Sequence, residues 1–266
     1  MGAIFKAQGE YDTAMQWYQR ALHGQQDSLG PSHPETLTTV HNIGCALTSQ
    51  RRYDDALVWY QRALEGEEKT LGADHENTLS TLGDMASIYR QRGQHDLALE
   101  LYNRALTGLQ RCLGETHPRT LAIMHNIGFV YSIRDRFDVA LKWYERALPG
   151  QERSLGATHP HTLATLDEIA SLLCLLEKYE EAAENWERLL VIQEDNMGPK
   201  HPETLRTLHN LGYVRKEQGD DERAVNLFER ALAGRDEVLG RQHTGTHNTA
   251  GELVAVLERA GDTMEI

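Results

Sequence analysis

The sequence predicts an all-α solenoid of antiparallel helix pairs, and three observations carry that reading. The stretch Leu29-Gly30-Pro31-Ser32-His33-Pro34-Glu35-Thr36-Leu37 returns, edited, at Leu71-Gly72, Leu113-Gly114, Leu155-Gly156, Met197-Gly198 and Leu239-Gly240, always 42 residues on. A fixed period of that size marks a repeat array. Between consecutive copies lie two runs of apolar residues at helical spacing. Small residues and rings also recur at constant phase in every copy.

The repeated stretch is a helix stop followed by a helix start. Gly30 supplies the left-handed backbone that closes a helix, Pro34 suits the first turn of the next one, and Glu35 meets the positive end of its dipole. In the first full unit, helix A is expected over Pro34–Gln50, with Leu37, Val40, Ile43, Gly44 and Leu47 on one face. Helix B is expected over Tyr53–Thr70, with Tyr53, Ala56, Leu57, Tyr60, Ala63 and Leu64. The alanine row Ala14, Ala56, Ala98, Ala140, Ala182 and Ala224 lets helices approach closely, and the ring row Tyr18, Tyr60, Tyr102, Tyr144, Trp186 and Phe228 fills the space beside it. Pro149, inside a helix B, predicts a kink. Trp17, Trp59 and Trp143 are expected to pack on neighbouring helices. The row Arg20, Arg62, Arg104, Arg146, Arg188 and Arg230 is read as ion pairs or packing stems between repeats.

Composition narrows the function. A net charge of −13 over 266 residues argues against nucleic acid, which needs clustered Lys and Arg. No apolar run suits a membrane span. Cys45, Cys112 and Cys174 are odd in number and fit no metal spacing, which predicts a reducing compartment, by default the cytoplasm. P-loop, zinc-protease and nucleophile-elbow motifs are missing from the sequence. The expectation is therefore a non-catalytic protein with no cofactor and no resident metal. The linker histidines His33, His75, His117, His159, His201 and His243 are read as helix caps. Ligands one repeat apart would lie about 10 Å from each other, too far for one ion.

Gly44 and Leu47 in helix A, with Ala56, Tyr60 and Ala63 in helix B, resemble the tetratricopeptide repeat. The usual unit has 34 residues, and eight more correspond to about two helical turns. The long form, with its Leu-Gly-x-x-His-Pro-x-Thr-Leu linker, resembles the repeats of kinesin light chains. Trp59-Tyr60-Gln61-Arg62-Ala63-Leu64-Glu65-Gly66 is similar to arrays in microbial signalling proteins whose repeats follow a nucleotide-binding switch domain. The resemblance implies a right-handed superhelix with helices A on its concave side. A single array over 1–266 is expected. It comprises a partial unit 1–29, full units at about 34–70, 76–112, 118–154, 160–196 and 202–238, and a degenerate capping helix at about 246–260 that carries Glu252 and Glu258. Gly2 aligns with Gly44, which places the start of the sequence midway through a helix A.

The resemblance also points to a groove. Two residues before the small position of helix A the row reads Asn42, Asp84, Asn126, Glu168, Asn210, Glu252. In tetratricopeptide families an Asn there hydrogen-bonds the backbone of an extended peptide, a task its amide suits by offering a donor and an acceptor. The row before it reads His41, Gly83, His125, Asp167, His209, Gly251. One residue after the small position come Cys45, Ser87, Phe129, Ser171 and Tyr213, and three further on Arg90 and Lys216. Arg206 and Lys216 match the cations of the family's carboxylate clamp in only one or two repeats. Asp84, Asp167 and Glu168 favour a basic or mixed-charge peptide instead. The expected function is a protein- or peptide-binding scaffold, the sensor or adaptor part of a signalling protein. A cargo adaptor like kinesin light chain is the alternative. An enzyme using His125 and Glu168 as an acid–base pair and a purely structural spacer are readings of other classes.

Overall fold

A computed structural model describes residues 1–264, with residues 260 and 262–264 as backbone only. Every regular element among them is an α-helix. The helices are α1 (Gly2–Ala7), α2 (Tyr11–Leu29), α3 (Pro34–Ser49), α4 (Tyr53–Thr70), α5 (Glu76–Gln91), α6 (His95–Cys112) and α7 (Pro118–Ser132). They continue as α8 (Phe137–Ser154), α9 (Pro160–Leu175), α10 (Tyr179–Met197), α11 (Pro202–Glu217), α12 (Asp221–Leu239) and α13 (Thr244–Met264). None is long and apolar enough to cross a membrane. The chain forms two compact units, Met1–Val130 and Tyr131 onward. In the first, successive helices pack from α1 through α6, and α3 also touches α5. In the second, they pack from α8 through α13, and α11 also touches α13.

The linker closes each pair onto the next. In all six copies the His Nδ1 accepts the backbone N–H two residues on, at 3.1–3.3 Å. This satisfies one of the orphan donors at the helix start. The Thr three residues after that His (Thr36, Thr78, Thr120, Thr162, Thr204, Thr246) donates its hydroxyl to the linker Gly carbonyl at 2.8–3.0 Å. These six threonines are buried, the first five at 0–2% exposure. Gly30 differs from expectation in one respect. At φ 90°, ψ 162° it occupies the mirror-image extended region rather than the left-handed helical one, a conformation even more restricted to glycine.

Between helix A and helix B the turn also needs positive φ. Glycine meets that need at Gly9, Gly93 and Gly219, but Arg51 (φ 60°), Asp135 (φ 56°) and Glu177 (φ 59°) meet it in the other copies. Each of these three carries the steric penalty of a side chain in that region, about 1–2 kcal/mol.

Helix lengths follow the sequence closely. α4 spans the expected residues, and α3 ends one residue early. The alanine row is fully buried, and the ring row is buried in every copy. A Cβ on Gly44 would lie 2.8 Å from Cε1 of Tyr60, so here the backbone itself is the surface the ring packs on. Pro149 does not divide its helix, because α8 runs unbroken through it with the same 18 residues as α4 and α6. Trp17, Trp59 and Trp143 lie beneath the guanidiniums of Arg20, Arg62 and Arg146 at 5.4–5.8 Å. Elsewhere in the arginine row, Arg104, Arg188 and Arg230 reach Glu68, Glu152 and Glu194, each 36 residues back. Where that position is Gln26 or Gln110, the partner is tryptophan.

The last helix is longer than expected and is held by specific contacts. Val256 joins Ala224 and Phe228 in a buried cluster, and Arg259 pairs with Asp221. Glu252 in this helix receives Lys216 at 2.8 Å.

Two stability outcomes follow. Thr78→Val keeps the shape but leaves the Gly72 carbonyl without its hydroxyl donor, and is expected to cost about 1–3 kcal/mol in chemical denaturation. Pro149→Ala restores a helical N–H at an exposed position and is expected to stabilise by up to about 3 kcal/mol.

Candidate functional site

The face that the sequence singles out lies on the first helix of each pair, and its two rows behave differently. Asn42 on α3, Asn126 on α7 and Asn210 on α11 are half-buried. Among the described residues, none of their amides has a hydrogen-bond partner within the chain, and all remain solvent-accessible. Such an amide can give and take a hydrogen bond with a peptide unit.

The histidine row is drawn into the fold. In the first unit His41 Nδ1 sits 2.9 Å from Thr81 Oγ1 on α5, and Thr81 donates to Glu67 of α4 at 2.8 Å. His41 Nε2 faces Asp84 Oδ2 at 3.3 Å and Cys45 Sγ at 3.4 Å. Its ring meets Tyr60 edge-on at 5.3 Å. Burial, with the charges of Lys6 and Arg119, lowers the His41 pKa to about 4. Burial raises the Asp84 carboxyl to about 6, against the same two cations. Glu67, 1% exposed, is raised by burial to about 7.

The second unit repeats the arrangement with different charges. His209 Nδ1 lies 3.2 Å from Thr249 Oγ1 on α13, and Arg235 of α12 donates to the same hydroxyl at 2.5 Å. Arg235 thus stands at the register position of Glu67. Lys216 lies over the Tyr213 ring at 4.6 Å and pairs with Glu252. Arg90 in the first unit stacks on Phe129 at 4.8 Å. Sequence reasoning did not pick out Glu67 or Arg235. The signal was present, since they are the two ionisable residues in a row otherwise made of Gln25, Leu109, Gln151 and Gln193.

Asp167 and Glu168 on α9 diverge. Asp167 accepts from Trp186 Nε1 at 2.9 Å and from Arg206 at 2.8 Å. Arg206 also binds Glu203 at 2.6 Å, so this candidate clamp cation is already paired. Glu168 borders a 580 Å³ cavity in the second unit with Leu163, Ala164, Asp167, Met197 and Arg206, within the size range of ligand pockets. Its carboxyl is raised by burial and by Asp167, against Arg206. His125 and Glu168, the alternative acid–base pair, belong to different units.

Comparisons with known proteins agree with the helix-pair geometry. The family model described as tetratricopeptide repeat matches residues 1–66, 41–111, 82–153, 119–185 and 161–237. No curated protein matches in sequence. Among solved structures, a putative kinesin light chain with nearly identical TPR-like repeats from Podosopora anserina aligns at TM-score 0.67 and 24% identity. That alignment covers 77% of this chain and 97% of the other. BtubC (BKLC) from P. vanneervenii aligns at TM-score 0.72 and 20% identity, covering 89% and 92%. YrrB, described as a TPR protein with an unusual peptide-binding site, aligns at TM-score 0.56 and 14% identity, covering 88% and 97%.

The half-buried His209 has a pH consequence. His209 is faced by Thr249, Arg235, Lys216, Glu252 and Phe228. Burial and Arg235, with Lys216, lower its pKa to about 4 against the opposing charge of Glu252. The unfolded chain therefore takes up this proton near pH 6.5 and the folded chain only near pH 4. The stability linked to His209 is complete above that window and is lost as pH falls through it. His209→Gln is expected to shrink the drop in urea midpoint between about pH 7 and pH 4 relative to wild type.

Proposed function

The chain belongs to the tetratricopeptide repeat family, and from that premise we propose that it binds an extended protein or peptide segment along the first helices of its pairs. The observation that carries this reading is the set of half-buried, unpartnered amides of Asn42, Asn126 and Asn210. A buried polar group without a partner costs free energy, and amides that keep contact with solvent are free to exchange it for a peptide backbone. In the first unit Phe129 supplies ring surface, and His41, Arg90 and His125 accompany Asn42 and Asn126; in the second, Tyr213, His209 and Lys216 accompany Asn210. Asp84 and Glu168 bias the ligand toward basic or mixed charge.

Glu168 is the stronger of the two acids for this purpose. Asp84 lies against His41 at 3.3 Å, whereas Glu168 borders a cavity with apolar Leu163 and Met197. That combination suits a side chain with an apolar stem and a cationic head. The role we propose is non-catalytic recognition within a signalling protein. A cargo adaptor is the second reading, favoured by the fold likeness to a putative kinesin light chain, and it would use the same face.

A peptide array of graded charge, probed with the whole chain, tests the reading. Asn126→Ala is expected to weaken bound peptides about tenfold, the equivalent of one or two lost hydrogen bonds. Glu168→Lys is expected to shift preference from basic to acidic sequences. Binding unchanged by both substitutions would remove the groove reading.

A further inference from the structure

We propose that His41, Cys45 and Asp84 form a binding site for one divalent d-block ion of the zinc type. The expectation of no resident metal rests on the sequence spacing of the three cysteines, Cys45 among them, and on the linker histidines, which sit one per repeat. This cluster draws on another row and on two helices at once: His41 and Cys45 are one turn apart on α3, and Asp84 projects from α5. One ligand atom from each lies within 4.8 Å of the others. The two separations that involve the imidazole are specific. A tetrahedral ion with zinc bond lengths to nitrogen, sulfur and oxygen requires N···S of about 3.5 Å and N···O of about 3.4 Å. Here Nε2 lies 3.4 Å from Sγ and 3.3 Å from Oδ2.

The surrounding hydrogen bonds prepare the donors. The Thr81 hydroxyl donates to Glu67 Oε2, so its lone pair is the acceptor for the imidazole Nδ1–H at 2.9 Å. That tautomer leaves a lone pair on Nε2, 3.3 Å from a carboxylate oxygen that also carries one and 3.4 Å from the Cys45 sulfur. A cation between them turns this opposition into two bonds. Thr81 and Glu67 are 0% and 1% exposed, so the relay from carboxylate to imidazole is fixed by packing, as outer-shell partners of metal-bound histidine are. On the sulfur side burial and the Asp84 charge raise the Cys45 thiol pKa, and the Tyr60 hydroxyl, which donates to Sγ at 3.3 Å, acts against them. Binding forms three bonds from N, S⁻ and O⁻ to the ion and releases the thiol proton to solvent. A fourth position is left for water or another donor.

The second unit shows the same register with its cation already covalently supplied. His209, Tyr213 and Glu252 stand where His41, Cys45 and Asp84 do, and the Lys216 ammonium lies 2.8 Å from Glu252. There the thiol is gone and Arg235 replaces Glu67. Only the first of these two sites offers the mixed donor set that suits zinc. The inference goes beyond peptide recognition and does not depend on it.

The test uses the full chain, stripped by chelator, with metal alone and no peptide. Titration with Co²⁺ is expected to saturate at one ion per chain with a thiolate-to-cobalt charge-transfer band in the near ultraviolet, which Zn²⁺ then bleaches. Cys45→Ser is expected to abolish the band and weaken Zn²⁺ binding at least tenfold. Asp84→Asn should weaken binding by a similar factor while keeping the band, and Cys112→Ser and Cys174→Ser should change neither. Circular dichroism in chelator shows whether each variant folds. If Cys45→Ser does not, Asp84→Asn at its partly exposed carboxyl decides. Failure to saturate at one ion, a band that survives Cys45→Ser, or unchanged affinity in Asp84→Asn would overturn the site.

Discussion

The bond from a buried threonine hydroxyl to the linker glycine carbonyl, paired with the cap made by the histidine three residues before that threonine, recurs in all six linkers. A helix end and a helix start meet there within a few residues, each with unsatisfied backbone groups. The hydroxyl takes up a carbonyl from the outgoing end, and the imidazole takes up an N–H from the incoming one. Because both bonds are short-range in the chain, the angle between successive helices is set at the linker. The alanine and ring rows can then meet at the same phase each time. A histidine whose Nδ1 is committed in this way is unavailable as a general ligand, which is why six evenly spaced histidines do not make six sites.

With the register held constant, changes at a few positions alter chemistry without altering shape. Residues 67 and 235 occupy the same place, yet one is a carboxylate and the other a guanidinium, both hydrogen-bonded to a threonine next to a histidine. The arginine row shows the same economy of form: it meets glutamate where glutamate is 36 residues back and a tryptophan face where it is not. Each solution neutralises or covers the same guanidinium by a different interaction, ionic in one case and cation–π in the other. Repeat proteins tolerate such exchange because each unit answers mainly to its neighbours.

The candidate site was half legible. The asparagine row could be read from spacing and the family resemblance, because its residues are half-buried and need no partner to be noticed. The histidine row was placed beside it but its behaviour was not, since Thr81 and Glu67 reach His41 from two other helices. Arg206 looked like a free cation in the sequence and is held by Asp167 and Glu203. Trp17, expected only to pack on a neighbouring helix, lies 37% exposed under Arg20. In each case the deciding partner is far along the chain or on the far side of a helix.

The sequence by itself determined the helices, their ends and their phase. These depend on local effects: glycine and proline backbone limits, caps, and a hydrophobic period that repeats every 42 residues. It also determined that the linker histidines are caps, because helix-start chemistry is local too. Only the tertiary structure decided which polar residues of helix A are committed and which are left over. Hydrogen bonds between side chains of different helices depend on separations of a few tenths of an ångström, and a repeat register of several ångströms cannot predict them. That is how two rows one residue apart came to hold an unpartnered asparagine set and, around His41, a cluster with the donors and spacing of a metal site.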